Sequence, residues 1–317
     1  MKKALILGVL GQDGSFMAEL LSSKGYEVHG IVKENTLIER IEWIESLVIN
    51  INIHRVNILD KSQLSTIIKI IKPNEIYNFA GMSNVFNAWE DLDSVFDINA
   101  RLPQNIMDII LYFDRSIKYF QASSSLIFGR DTSGKQNELT PTNPIYPYGI
   151  TKLYADNMVK EYRKTFGLYF CSGILFNHES ERRGDNFFSK KITREVCEIK
   201  KGKKEKIKVG NLSALRDYGY APDYTQAIYL MMNNSEPKDY VIGTGKTISM
   251  YDFLKKCCVY MGINHEECFE FDTSLYREND TNVLCADITK ITKDLGWKPK
   301  HSIDDIIKIM IDKEFNK

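Results

Sequence analysis

Tyr148 and Lys152 stand four residues apart, behind a run of three serines, Ser123 to Ser125. On a helix that spacing puts both side chains on one face. A phenol with an ordinary pKa of about 10 is a poor base. An ammonium group one turn away favours the phenolate and brings it toward working pH. A serine hydroxyl at the end of the preceding strand can hydrogen-bond the same substrate oxygen. These are parts for taking a proton from a sugar or alcohol hydroxyl while another group takes the hydride. A Tyr-x-x-x-Lys pair arises often by chance, so the elements around it must decide.

Those elements alternate. Residues 4–7 read as a buried strand that runs into Gly8-x-x-Gly11-Gln12-Asp13-Gly14, then into a helix over 15–24 and a second strand over 26–32. A glycine loop between strand and helix lets backbone amides approach a pyrophosphate at the helix N-terminus. After the second strand come Lys33, Glu34 and Asn35. Lys33 could meet a 2′-phosphate, whereas Glu34 would repel one and accept from a ribose 2′-hydroxyl, which favours NAD over NADP. Both can equally be solvated loop charges. Further strands are expected over 53–58, 75–79, 117–122, 168–175 and 240–242. Helices are expected over 61–72, 95–113, 148–166, 189–200 and 222–234. Ala80, Gly81 and Ser83 form a small-residue exit loop, and Asn99 is a mid-helix polar residue that is either on the surface or a brace for active-site backbone. Strands alternating with helices imply a parallel sheet covered on both faces. Gly8, Ala80, Ser124 and Asn177 would all fall at carboxyl ends of strands, where ligands bind such sheets.

Composition narrows the classes. The 317 residues carry 42 basic and 42 acidic side chains, a balance that calls for neither nucleic acid nor a membrane surface. No apolar run is long enough to cross a bilayer. Gly8, Gln12 and Asp13 come too early for a signal peptide, so a cytoplasmic protein is expected. The six cysteines show no C-x-x-C spacing, which argues against zinc or redox chemistry and leaves no metal site in view. The basic run 200–208 reads as a solvated turn.

Taken together the motifs resemble the extended short-chain dehydrogenase/reductase superfamily, and within it the GDP-mannose 4,6-dehydratase family. They are the glycine loop, Glu75-Ile-Tyr-Asn-Phe-Ala80, Ala122-Ser-Ser-Ser-Leu-Ile-Phe-Gly129, Tyr148-x-x-x-Lys152, Asn177-His-Glu-Ser-Glu-Arg-Arg-Gly184, Gly210-Asn-Leu with Arg216-Asp217, and Leu295-Gly-Trp-Lys-Pro299. The resemblance implies an α/β fold: a Rossmann-type doubly wound parallel sheet over 1–176 and 218–246, with a smaller mixed α/β substrate lobe over 177–217 and 247–317. It implies an NAD-dependent enzyme acting on a GDP-linked manno-configured sugar, a homodimer or homotetramer. Tyr148 would be the base at the C4 hydroxyl, Lys152 its partner and ribose contact, and Ser124 the hydroxyl contact. Asn57, Ile58, Phe79, Ala80, Gly81, Ser83, Asn99 and Ala122 would join the glycine loop and Glu34 around the cofactor. Ser83, Ser125, Asn177, Asn186, Lys191, Val209, Arg216, Arg277 and Asp280 would hold the GDP-sugar. Guanidinium forks suit diphosphate, though either arginine could also be a surface ion pair.

One departure matters most. The dehydratases carry a glutamate two residues after the catalytic Ser/Thr, an acid/base for losing water across C5 and C6. Here the position is Leu126, between Ser125 and Ile127. Leucine can neither accept a proton nor protonate a departing hydroxyl. Glu138 could swing in from the following loop. Asn57, Asn84 and Asp280 stand where aspartate, histidine and glutamate are usual. The expected reaction is therefore oxidation at C4 without dehydration, on GDP-mannose or a GDP-manno-heptose. The enzyme would then release NADH, return the hydride to the other face, or pass it to a second carbonyl substrate; net oxidation with NADH tightly held or recycled is the favoured expectation. A dehydratase with an unusual acid/base, a C4 epimerase and a non-catalytic GDP-sugar-binding subunit are the alternatives.

Overall fold

The computed structural model describes residues 1–48, 50–83, 89–129, 134–275 and 283–316. The first half runs β1 (Lys3–Leu7), α1 (Gln12–Ser23), β2 (Glu27–Val32), α2 (Ile38–Leu47), β3 (Asn52–Arg55), α3 (Lys61–Ile71), β4 (Glu75–Asn78), α4 (Leu92–Phe96), α5 (Leu102–Phe113), β5 (Lys118–Ser124), α6 (Pro147–Phe166) and β6 (Phe170–Leu175). Then come β7 (Asn177–Glu179), α7 (Phe188–Lys200), β8 (Ile207–Val209), β9 (Leu215–Arg216), β10 (Tyr218–Tyr220), α8 (Ala221–Met232), β11 (Tyr240–Ile242), β12 (Ile248–Ser249), α9 (Met250–Met261), β13 (Phe269–Phe271), β14 (Val283–Leu284), α10 (Thr289–Leu295) and α11 (Ile303–Phe315).

Seven strands form one parallel sheet in the order β11-β6-β5-β4-β1-β2-β3. Side chains alternate between its two faces. Ala4, Ile6, Tyr77 and Phe120 enter one core with Met17 of α1 and Met231 of α8. Leu5, Leu7, Ile76 and Tyr119 enter the other with Ile68 of α3, Ile106 of α5 and Val159 of α6. Both faces are thus covered, which is why these strands are apolar without alternation. The strand order reverses at β1, whose neighbours are β2 and β4, and that reversal opens a crevice at the carboxyl edge. This is the doubly wound Rossmann arrangement expected from the sequence.

A third core joins α7, α9 and α11 through Ile192, Phe253 and Ile307. Around it lie small sheets: β7 with β10, β8 with β13, and β9 between β12 and β14. Among the described residues no helix is long and apolar enough to cross a membrane.

Three local expectations change. The helix expected over 95–113 is broken into α4, a π-helical turn at Asp97–Arg101, and α5. The wider turn carries Asn99 inward, where it is fully buried. The stretch between β2 and β3, for which no element is expected, contains α2; only Ile41 and Ile44 of it are buried, too short a stripe to announce a helix. The fifth strand continues through Ser124, two residues beyond the expected end, so Ser123 and Ser124 belong to the sheet.

Candidate active site

The loop after β1 is shaped by close approach. Gly8 has φ of 81°, and a Cβ there would stand 2.9 Å from the Ala80 nitrogen; a Cβ on Gly14 would stand 2.2 Å from the Gly8 oxygen. The Gly11 amide donates to Gly8 O at 2.9 Å, and Gly11 begins α1 with no side-chain cap. The first turn of this 12-residue helix thus has no side-chain cap, which suits an anionic pyrophosphate. These residues fit a dinucleotide. Phe79 and Ala80 form the opposite wall, held by the Phe79 amide to Leu7 O at 3.0 Å and the Ala80 amide to the Asn78 side chain at 3.2 Å.

β5 and α6 bring the chemical groups together. Pro147 opens α6, and its first turns carry Tyr148 and Lys152, both buried. Ser124 accepts from the Leu126 amide at 3.2 Å, capping a short 3-10 turn, and its hydroxyl also bonds the Tyr148 phenol. Lys152 donates to the Ala122 carbonyl at 2.9 Å, and its Nζ lies 5.7 Å from the Tyr148 ring centroid. Asn99 exchanges bonds with the Met82 backbone, accepting at 3.0 Å and donating at 3.2 Å. A Cβ on Gly81 would meet Asn99 Oδ1 at 3.2 Å and Lys152 Nζ at 3.3 Å, so the exit loop of β4 presses on the same pair. Asn99 is a brace.

The electrostatics differ from the sequence expectation. Burial pushes the Tyr148 phenol up to about 12, against the pull of the Ser124 hydrogen bond and the Arg183 charge; Asp13 adds to the rise. Burial brings Lys152 down to about 8, with Asp13 opposing. Desolvation thus outweighs pairing at both groups.

The segment after β6 contributes residues that sequence reasoning left unassigned. His178 Nε2 lies 2.9 Å from both Asp13 carboxylate oxygens, and Nδ1 2.7 Å from Phe176 O. Gln12 donates to His178 O at 3.0 Å and accepts from Ser180 Oγ at 2.7 Å. The Arg183 side chain lies over the Phe187 ring, with Nε 3.1 Å from Glu179. Their only signal in the sequence was membership of one polar run, which says nothing about what each side chain touches.

The remaining predicted residues fall into separate groups. At the exit of β2, Arg55 donates to the carbonyls of Glu34 and Thr36 at 2.7 and 2.8 Å, placing a guanidinium beside exposed Glu34. Asn57 caps its own turn, accepting from Leu59 N at 3.1 Å, and Ile58 packs on the sheet core. Ser83 is exposed beyond Met82, and Ser125 is buried in the 3-10 turn. Asn177 starts β7, and Asn186 is exposed in the turn before α7. Lys191 donates to Lys208 O at 2.6 Å, next to buried Val209, whose carbonyl accepts from Asp272 N at 2.8 Å. Arg216 is buried in β9 and donates to Leu215 O at 3.0 Å. Asn84, Arg277 and Asp280 lie outside the described residues.

Leu126 packs beside Ile127, Phe128, Ile174 and Phe176. Glu138 accepts from the Val241 amide at 2.8 Å on edge strand β11, so its carboxylate is engaged there. Among the described residues no cluster of His, Cys, Asp and Glu could hold a metal ion.

A family model for GDP-mannose 4,6 dehydratase matches residues 5–310. GDP-mannose 4,6 dehydratase 2 of Arabidopsis thaliana is 39% identical over 324 residues, covering 99% of this chain and 87% of its own. The Homo sapiens GDP-mannose 4,6 dehydratase is 37% identical over 334 residues, covering 97% and 90%. The Thermus thermophilus UDP-glucose 4-epimerase, solved in complex with NAD, superposes with a TM-score of 0.86 at 21% identity, covering 98% of both chains. At that identity the likeness concerns the fold.

Proposed function

The chain belongs to the GDP-mannose 4,6 dehydratase family, and from that premise we propose that it oxidises a GDP-linked manno-configured sugar at C4 to the 4-keto sugar without losing water. The observation that carries this reading is Leu126, an apolar side chain packed among apolar neighbours two residues beyond Ser124, where the family resemblance implies a carboxylate. Glu138, the carboxylate expected to swing in, is engaged by the Val241 amide.

In this reading Ser124 and Tyr148 hold the C4 hydroxyl, and the phenolate of Tyr148, the minor form while burial holds the phenol at about 12, takes its proton as C4 is oxidised. The glycine loop, Glu34, Ala80, Gly81 and Lys152 would hold NAD, which when bound would accept the hydride from C4. Lys152, shared between its ordinary charged form and the neutral amine near pH 8, orients the ribose from its bond to Ala122 O. Asn99 keeps the exit loop of β4 pressed against that lysine. Lys191, Val209 and Arg216 would hold the GDP portion. Turnover then needs release of the reduced dinucleotide or a second carbonyl substrate as hydride acceptor.

The test is the product mass. Incubated with GDP-mannose and GDP-manno-heptose, the protein is expected to give a product lacking two hydrogens. A product lacking water would establish the dehydratase, and an unchanged mass with an inverted C4 by NMR would establish the epimerase. Tyr148→Phe is expected to lower the rate by about a hundredfold or more while retaining the cofactor; a fully active variant would remove Tyr148 from its role.

A further inference from the structure

His178 faces only acceptors. Its Nδ1 points at the Phe176 carbonyl, 2.7 Å away, and its Nε2 at the Asp13 carboxylate, 2.9 Å from each oxygen. A neutral imidazole carries one N–H, so two acceptor partners select the imidazolium. The ring also stacks on Tyr224, centroids 4.6 Å apart at 28°, a face that favours a cation. The charged or titratable groups that face it are Asp13 from α1, Arg183 from the turn after β7, and Tyr224 from α8. Around this pair Gln12 bonds the His178 carbonyl and the Ser180 hydroxyl, so the segment after β6 grips the first turn of α1 at both residues.

Asp13 is also within electrostatic reach of the chemical groups. Its charge acts to raise both the Tyr148 phenol and the Lys152 ammonium. A carboxylate at this place is therefore a handicap to a phenolate base unless a cation holds it.

We propose that His178 is a positioning residue, which binds Asp13 as an ion pair in the first turn of α1 and so withholds that carboxylate from Lys152 and Tyr148. The assignment deepens the reading of Tyr148 as the base and rests on it. Burial works against both partners, yet the pair prevails: Asp13 is brought below the usual carboxylate value and His178 above the usual imidazole value. The ion pair accordingly persists between those two limits.

The test follows Lys152 itself, so it needs no substrate. In protein with ε-13C-labelled lysine, the Lys152 resonance is identified by its loss in Lys152→Met and titrated against pH. The wild-type midpoint is expected at about 8. In His178→Gln the unpaired Asp13 should move it upward by about one pH unit. In the double variant His178→Gln/Asp13→Asn the midpoint should return to the wild-type value or below. An unmoved midpoint in folded His178→Gln, or a shifted midpoint that Asp13→Asn leaves in place, overturns the proposal. A packing role alone would lower thermal stability in His178→Gln without moving the titration. Once the product is identified, the alkaline shift should recur in the pH profile of kcat/KM. Failure of that profile alone would count against Tyr148 as base and leave the ion pair standing.

Discussion

Leu126 is the residue on which the proposed chemistry turns. Its side chain is partly buried against the apolar cluster that includes Ile127, Phe128, Ile174 and Phe176. Placing a carboxylate there trades dispersion contacts for a desolvated charge, a cost of about 1–3 kcal/mol. Leu126→Glu should therefore melt a few degrees below wild type. If the missing carboxylate alone blocks elimination, the same variant should form some product that has lost water, seen by mass spectrometry. Oxidation that continues with no water loss would put the limit elsewhere in the site. Lys152 teaches a related point. An i, i+4 ammonium ordinarily stabilises a phenolate, but here both groups are buried, and desolvation leaves the phenol at about 12 and the ammonium at about 8. Spacing states which groups can meet, whereas burial decides how they titrate.

At the level of elements, the edge of the sheet carries a pH-sensitive contact far from the serines. His29 on β2 and His54 on β3 stack with centroids 5.2 Å apart, and their Nδ1 and Nε2 atoms lie 2.9 Å apart. One ring must accept while the other donates, and His29 Nε2 is 3.0 Å from Glu27. Burial lowers both imidazoles below the ordinary value, and for His54 the charge on His29 lowers it further. A depressed folded value means stability that is present above the unfolded pKa of about 6.5 and is lost as pH falls through the folded value. The melting temperature should thus fall by a few degrees between about pH 7 and pH 5, followed by circular dichroism. His54→Gln should flatten that slope; an unchanged slope would show that other groups carry it. The π-helical turn at Asp97–Arg101 is the other element-level device, since it turns Asn99 into the core to bind both polar groups of Met82.

Across the whole molecule, six thiols are stored in the interior. Cys197, Cys257, Cys258 and Cys268 share the core built by α7, α9 and α11, where Cys258 and Cys268 sulfurs lie 3.2 Å apart. Burial raises Cys197, Cys257 and Cys258 above the ordinary thiol value, so the reactive thiolate is scarce. A thiol-specific reagent should therefore titrate almost none of the six in the native protein and all of them after denaturation. Rapid native reaction of one or two would show that the core of α7, α9 and α11 opens without global unfolding.

Much of the framework was legible without coordinates. Unbroken apolar runs such as Ala4 to Leu7 declare strands covered on both faces, because no alternation is left to face water. The glycine loop, the Tyr148–Lys152 spacing and the leucine at 126 are covalent facts, so the parts of a hydride-transfer site could be named from them. Other features depend on residues distant in the chain and become visible only when the sheet is assembled. The bond between His178 and Asp13 spans 165 positions, and that of Val241 to Glu138 spans 103. Sequence periodicity reports local geometry; it carries no record of which turn meets which. Desolvation likewise has no local signature, since it sums over everything packed around a group. For that reason the chain alone named the candidate base and its lysine, while the tertiary structure decided their ionisation and supplied the histidine that holds Asp13.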